Sequence, residues 1–271
     1  MIKKPLPVGV DDFEKLIRNG YYYVDKTLFI RELLDKKGDV SLFTRPRRFG
    51  KTLTLSMLKC FFENTGSEER NCKNKKLFEG LSIYSCGSIY TEQMGKYPVI
   101  SISLKSAKQP DFPQAFYAVQ EAISQEYKRH EPFLEHMDLN PQEKQRYIRM
   151  TRMEAVRGEC NTSLRFLSEC LSKIYSSNVI ILLDEYDVPL ENAYFSGFYN
   201  EMAEFLRSLF ESVLKTNPFL EFAVMTGCLR ISKESIFTGL NNLDINSILA
   251  VSYGEYFGFT QEEVDRMLQY Y

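Results

Sequence analysis

The chain of 271 residues has no tryptophan, two histidines, no Cys-x-x-Cys pair and no long apolar run. Each absence removes a class of protein. His130 and His136, with six scattered cysteines (Cys60, Cys72, Cys86, Cys160, Cys170 and Cys228), give no metal-ligand spacing, so a zinc site would need an improbable assembly of scattered ligands. The unpaired thiols suit a reducing compartment, and Cys60, Cys170 and Cys228, set in apolar stretches, read as small core residues. No run of about eighteen apolar residues offers a membrane span. Met1-Ile-Lys-Lys-Pro5 leads into polar residues rather than a signal peptide. A cytoplasmic protein without membrane contact is expected. Excess positive charge is missing too: net charge is -2 and the pI about 5.9. Binding of DNA by the whole chain is therefore not indicated, although a local patch stays open.

What is present is a folding composition, 44% hydrophobic and 26% charged, enough for a buried core without disulfides. After a lead-in segment over residues 1–37, with a helix from about Lys26 to Leu34 and Asp25 as its N-cap, five strands are expected. They are Val40 to Thr44, Tyr97 to Leu104, Val179 to Leu183, Leu220 to Thr226, and one around Asn246 to Val251. Helices are expected from Lys51 to Phe62, Phe112 to Arg129, after Asn161, Asn200 to Lys215, and from Gln261 toward Gln269. The polar stretch 131–160 reads as a helical insertion. Strands alternating with helices indicate a doubly wound α/β fold, and Val179-Ile-Ile-Leu-Leu183 is apolar throughout, as a central parallel strand is.

Between the first strand and its helix stands Thr44-Arg-Pro-Arg-Arg-Phe-Gly-Lys-Thr52. The phosphate-loop pattern G-x-x-x-x-G-K-[ST] needs a glycine for close backbone approach, a lysine for the β- and γ-phosphates, and a hydroxyl for Mg²⁺. Gly50, Lys51 and Thr52 fit, and the stretch Arg47-Arg48-Phe49-Gly50-Lys51-Thr52-Leu53 would hold ATP. Arg45 occupies the first glycine's place and Pro46 removes a backbone donor, so the alternative of a chance Gly-Lys-Thr tripeptide stays open on this segment alone. The second signal is Leu183-Asp-Glu-Tyr-Asp187 at the end of an apolar strand. There Asp184 would hold Mg²⁺ and Glu185 would orient the attacking water, and both signals lie on the carboxyl edge of a parallel sheet. Thr226, ending the next strand, and Arg230 beyond it are either sensors of the γ-phosphate or a plain strand end with a surface arginine.

These motifs, with Pro7-Val-Gly-Val-Asp-Asp-Phe13, Tyr23-Val-Asp-Lys-Thr27, Thr226-Gly-Cys-Leu-Arg230 and Ser235-Ile-Phe-Thr-Gly-Leu-Asn-Asn242, resemble the bacterial AAA-ATPase-like family over nearly the whole chain. In that family the arginine-rich loop without its first glycine is the usual form. The resemblance implies a three-layer ASCE-type P-loop NTPase core with a mostly parallel five-stranded sheet, its phosphate-loop strand central. It also implies one such domain over 1–271, and a further half ending in a PD-(D/E)XK nuclease-like domain that this chain does not carry. Val8 to Val10 and Tyr23 to Thr27 become candidates for the adenine pocket.

The functional expectation is a MgATP-dependent ATPase with Glu185, Lys51, Thr226 and Arg230 in catalytic roles. Its basal rate should be low, because no arginine is assured of reaching the γ-phosphate from the far side. An ATP-binding regulatory module, or a DNA-processing or defence module, are the alternatives, and a protein partner or homo-oligomer fits either. Lys144, Arg146, Arg149, Arg152 and Arg157 could face DNA, or form a solvated helix face interrupted by Glu143, Glu154 and Glu159. Tyr21-Tyr-Tyr23 is a stacking platform or an aromatic strand.

Overall fold

A computed structural model describes residues 3–229, 236, 237, 239–250 and 252–271. The elements run α1 (Phe13–Arg18), α2 (Leu28–Lys36), β1 (Val40–Thr44), α3 (Lys51–Phe62), α4 (Glu68–Lys76), α5 (Ser88–Thr91), β2 (Val99–Ser103) and α6 (Phe112–His130). Then come α7 (Pro141–Thr151), α8 (Arg157–Asn161), α9 (Ser163–Tyr175), β3 (Val179–Asp184), α10 (Val188–Ser196) and α11 (Tyr199–Leu214). β4 (Leu220–Gly227), β5 (Leu243–Asn246) and α12 (Gln261–Tyr270) complete the series.

The five strands form one sheet in the order β2-β3-β4-β1-β5, and every pairing is parallel. β1 is interior, flanked by β4 and β5, while β4 takes the middle place between the loop strand and the carboxylate strand. Successive residues of a strand point to opposite faces, and both faces here are apolar. Ile181 and Leu183 of β3, with Leu42 of β1, pack under α6, α9 and α11. Ile180 and Leu182, with Phe43, pack against Phe29 of α2 and Leu58 of α3. That division makes three layers, an α/β fold of P-loop NTPase type.

Several expectations shift. The fifth strand is Leu243–Asn246, earlier than expected, and the apolar Ile248 and Leu249 lie in an exposed turn. Thr27 rather than Asp25 holds the N-cap position of α2; the Asp25 carboxylate accepts from the Thr27 N–H (2.8 Å), its hydroxyl (2.6 Å) and the Ser82 N–H (2.7 Å). Burial would raise its pKa, but these bonds bring it below the usual range. No strand forms over Tyr21 to Tyr23; Tyr22 instead packs on Tyr270, ring centroids 4.9 Å apart.

The 131–160 stretch is helical but belongs to the main core. Tyr147 and Met150 are buried beside α6, and Gln120 donates to the Ala155 carbonyl at 2.9 Å. Three of its four arginines are engaged: Arg146 donates to the Thr162 hydroxyl (2.6 Å), Arg149 pairs with Glu159 (2.5 Å) and Arg157 with Glu204 (3.6 Å).

Candidate functional site

Because β1, β3 and β4 are adjacent and parallel, their carboxyl ends converge on one edge. From Thr44 the chain turns through residues 45–50 into α3. Gly50 is left-handed, φ +78°, and a β-carbon there would meet nothing within 4 Å, so its need is conformational rather than steric. Arg48 is also left-handed, φ +70°, which costs a residue with a side chain about 1 kcal/mol or more.

Arg45, in the first glycine's place, turns its side chain away from the loop. It is 2% exposed, and its Nη1 donates to the carbonyls of Asn246 (2.6 Å) and Thr44 (3.0 Å). Its guanidinium lies 5.0 Å from the Phe257 ring centroid, and burial lowers its pKa. Arg45 therefore fastens the loop to β5 and to the segment beyond it. Arg47 is exposed and reaches Glu191 of α10 at 3.7 Å.

The Lys51 ammonium is buried and donates to the carbonyls of Arg45 and Pro46, both at 2.9 Å, and to the Cys228 sulfur at 3.4 Å. Cys228 is thus a half-buried neighbour of the loop lysine, not the core residue that its apolar surroundings suggest. β4 ends at Gly227, so the residue that follows leaves the sheet just at this edge.

One carboxylate joins three elements. The Thr52 hydroxyl, in the first turn of α3, donates to Asp184 Oδ2 at 2.7 Å, and the fully buried Thr226 hydroxyl, one residue before the end of β4, donates to Asp184 Oδ1. The other members of Asp184-Glu-Tyr-Asp187 divide the remaining work. The buried Tyr186 hydroxyl donates to the Leu229 carbonyl at 2.6 Å. Asp187 Oδ2 accepts from the N–H groups of Cys228 (2.8 Å) and Leu229 (2.7 Å). Burial raises the Asp187 pKa despite those two bonds. Gly227 is required between these braces, since a β-carbon would lie 2.5 Å from the Tyr186 ring and 2.6 Å from Asp187 Oδ1. Nothing in the sequence signals this bracing by Tyr186 and Asp187, which depends on β4 lying beside β3.

Glu185 differs from its neighbours. It is half-buried, sits at φ +53°, and has no side-chain hydrogen bond or ion pair among the described residues. Its pKa is raised, first by burial and then by Asp184, with Asp187 adding and Lys51 and Lys105 opposing. The Ser103 hydroxyl, in register with Asp184 on β2, is buried and also without a partner. Arg230 and part of the 235–242 motif lie outside the described residues.

Beside the loop opens a cleft of about 230 Å³. Arg48, Phe49, Gly50 and Leu53 form one wall, Val10 and Tyr23 a second, and Tyr256, Phe259 and Met267 a third. Of the candidates before the loop, Val10, Tyr23, Val24 and Lys26 line it, while Val8 is 89% exposed and does not. The third wall was missed because nothing in its composition ties it to residues so far upstream. The Gly258 N–H donates to the Phe49 carbonyl (3.1 Å), and Lys26 pairs with Glu263 of α12 at 2.6 Å.

A family model described as Predicted AAA-ATPase matches residues 7–237. An "Uncharacterized protein in vnfD 5'region" of Azotobacter chroococcum mcd 1 is 31% identical over 98% of this chain, which spans 45% of that relative's length. No solved structure matches. The family match takes in the loop, the carboxylates and Thr226 over most of the sequence, and on that ground the chain belongs to the Predicted AAA-ATPase family.

Proposed function

We propose that the chain binds MgATP at this edge and hydrolyses it slowly, as a nucleotide-driven switch for a further part of the protein or for a partner. The observation that carries this reading is the Asp184 carboxylate. Each of its oxygens takes a hydroxyl, from Thr52 and Thr226, with the unpartnered Glu185 next to it. The Thr52 hydroxyl and the Asp184 carboxylate are hard oxygen donors in contact, a set that suits Mg²⁺ sharing its other positions with water and phosphate. Among the described residues no group of three His, Cys, Asp or Glu offers a rival metal centre. Bound there, Mg²⁺ would neutralise charge on the phosphate oxygens.

Lys51 would exchange its two loop carbonyls for the β- and γ-phosphates, and residues 47–53 would wrap the phosphates. The apolar cleft beside Phe49 would take the base, and Arg48 would stand between base and phosphates. Thr226 keeps Asp184 aimed, and Arg230 keeps its candidate role as a sensor after β4. Glu185 orients a water whose oxygen attacks the γ-phosphorus. The bond to the ADP oxygen breaks, its electron pair leaves with ADP, and the water proton passes by way of Glu185 to solvent. A DNA-facing role for residues 142–157 has less support, because Arg146, Arg149 and Arg157 are bound within the chain.

Nucleotide titration and phosphate release together test this reading. Lys51→Ala should lose MgATP binding. Glu185→Gln should keep it and turn over about a hundredfold more slowly. Unchanged binding in the first variant removes the phosphate-loop assignment. Unchanged turnover in the second, or none in the wild type, leaves a binding module.

A further inference from the structure

Hydrolysis needs a cation on the side of the phosphoryl group away from Lys51, and the described arginines nearby are committed elsewhere. Arg45 is buried beneath the loop, Arg47 pairs with Glu191, and Arg48 faces the base cleft. The carboxyl end of β2 offers a different candidate. Ser103 is in register with Asp184, and the Leu104 N–H donates to the Asp184 carbonyl at 3.0 Å, so this strand end is held against the carboxylates. Lys105 follows at once, opening the short turn Lys105–Ala107. It lies two residues past the register partner of Asp184, just beyond the end of a strand about 4.8 Å from β3. Its side chain is exposed and forms no hydrogen bond or ion pair among the described residues, while its charge acts on Glu185.

The rim that carries Lys105 is shared with the phosphate loop. Asn192 of α10 donates to the Gln109 carbonyl in the β2–α6 connection, and the preceding residue on that helix, Glu191, holds Arg47. The loop, α10 and the β2–α6 connection are therefore joined along this rim. The charges of Asp184, Lys51, Asp187 and Lys105 all act on Glu185. Phosphate oxygens entering beside Asp184 and Glu185 would add like charge, which makes a second positive group on this rim consequential.

We propose that Lys105 is a catalytic residue of this chain. Its ammonium meets, from the β2 side, the charge that develops on the transferred phosphoryl group. This rests on the hydrolysis reading above and deepens it. As the bond from water oxygen to γ-phosphorus forms and the bond to ADP breaks, negative charge grows on the oxygens of the moving group and on the leaving ADP oxygen. Lys51 addresses that charge from the loop and Lys105 from the opposite wall. No proton leaves Lys105, which acts by charge alone. A lysine in this place would allow turnover without an arginine from another subunit, and a flexible stem at an exposed rim would keep that turnover slow.

The test compares the full chain with Lys105→Met and Lys105→Arg. Lys105→Met should lower kcat about a hundredfold, the usual scale for one lost charge-stabilising group, with MgADP affinity changed less than about twofold. Binding of MgADP with aluminium fluoride, which mimics the transferred group in flight, should weaken by a factor close to the loss in kcat. Lys105→Arg should restore most of both. Wild-type kcat in the Met variant, an equal loss of MgADP and mimic binding, or no rescue by arginine each overturn the assignment. Glu185→Gln run alongside separates the two claims. If it too hydrolyses at the wild-type rate, hydrolysis by this site has failed; if it alone is slow, only Lys105 has been misplaced.

Discussion

Thr226→Val removes one hydroxyl from a fully buried position while keeping the side chain's shape. That hydroxyl donates to Asp184 Oδ1, and a hydrogen bond to a charged group contributes roughly 1.5–3 kcal/mol. Valine adds no compensating donor, and Asp184 is itself 6% exposed, so water has little access to the orphaned oxygen. A loss of roughly 2–3 kcal/mol is expected, which at about 2–4 °C per kcal/mol for a chain of this size lowers Tm by roughly 5–10 °C. Thr52→Val deletes the matching bond to Oδ2 from a half-buried position open to water, and should cost only about 0.5–1.5 kcal/mol. Urea denaturation of the nucleotide-free protein gives both values, and the double variant gives their coupling. Since the two hydroxyls share one carboxylate, the losses should not add. A neutral Thr226→Val, or a Thr52→Val that costs more, would falsify the view that Asp184 is held chiefly from β4.

Arg48→Gly should stabilise the nucleotide-free fold by about 1 kcal/mol, because glycine adopts φ +70° without a steric penalty, and should weaken ATP binding through the lost guanidinium. Denaturation midpoints and nucleotide titration check the two halves separately. Far from the site, Glu126 is buried among Arg129, His130 (3.5 Å) and, through Arg129, Glu63. Burial alone would raise its pKa, but Arg129 and the surrounding bonds hold it well below the ordinary 4.5. A carboxylate lowered on folding contributes stability that is present above its unfolded pKa and lost as pH falls below it. Glu126→Gln should thus destabilise strongly at pH 7, and its deficit should shrink as urea midpoints are taken from about pH 5 toward pH 3. A deficit independent of pH would contradict the ion-pair account.

Where burial is two-sided, sequence and structure agree. Val179 to Leu183 is apolar at every position, and Val40 to Thr44 is buried at every position, because helices cover both faces of the sheet, and each sits where its composition puts it. The fifth strand is misplaced for the converse reason. An edge strand need bury little, and Leu243-Asp-Ile-Asn246 alternates, whereas the more apolar Ile248 and Leu249 nearby are 56% and 90% exposed. Asp184 and Thr52 could be paired from their strand and helix contexts. The bracing by Tyr186 and Asp187 could not, since it depends on β4 lying next to β3, an order that no periodicity encodes. Arg45 could be seen as a departure from the motif, but its burial against Phe257 depends on the path of the chain after β5.

The cleft beside the loop has its own history in time. Its walls meet through contacts such as Lys26 with Glu263 and the Lys4 N–H with the Tyr270 hydroxyl, separated by 237 and 266 residues. Closing loops of that length costs entropy that only a largely folded chain can offset, so this closure belongs late in folding. During synthesis the phosphate loop and Asp184 leave the ribosome well before residues 253–271 do. A sheet with its loop and carboxylates in place would then exist without the third wall of the cleft. A ligand that grips all three walls favours only the closed form, raising its apparent stability by RT ln(1 + [L]/Kd). Protection of residues 3–27 and 253–271 from proteolysis should therefore appear together, and track nucleotide concentration more steeply than protection of the sheet.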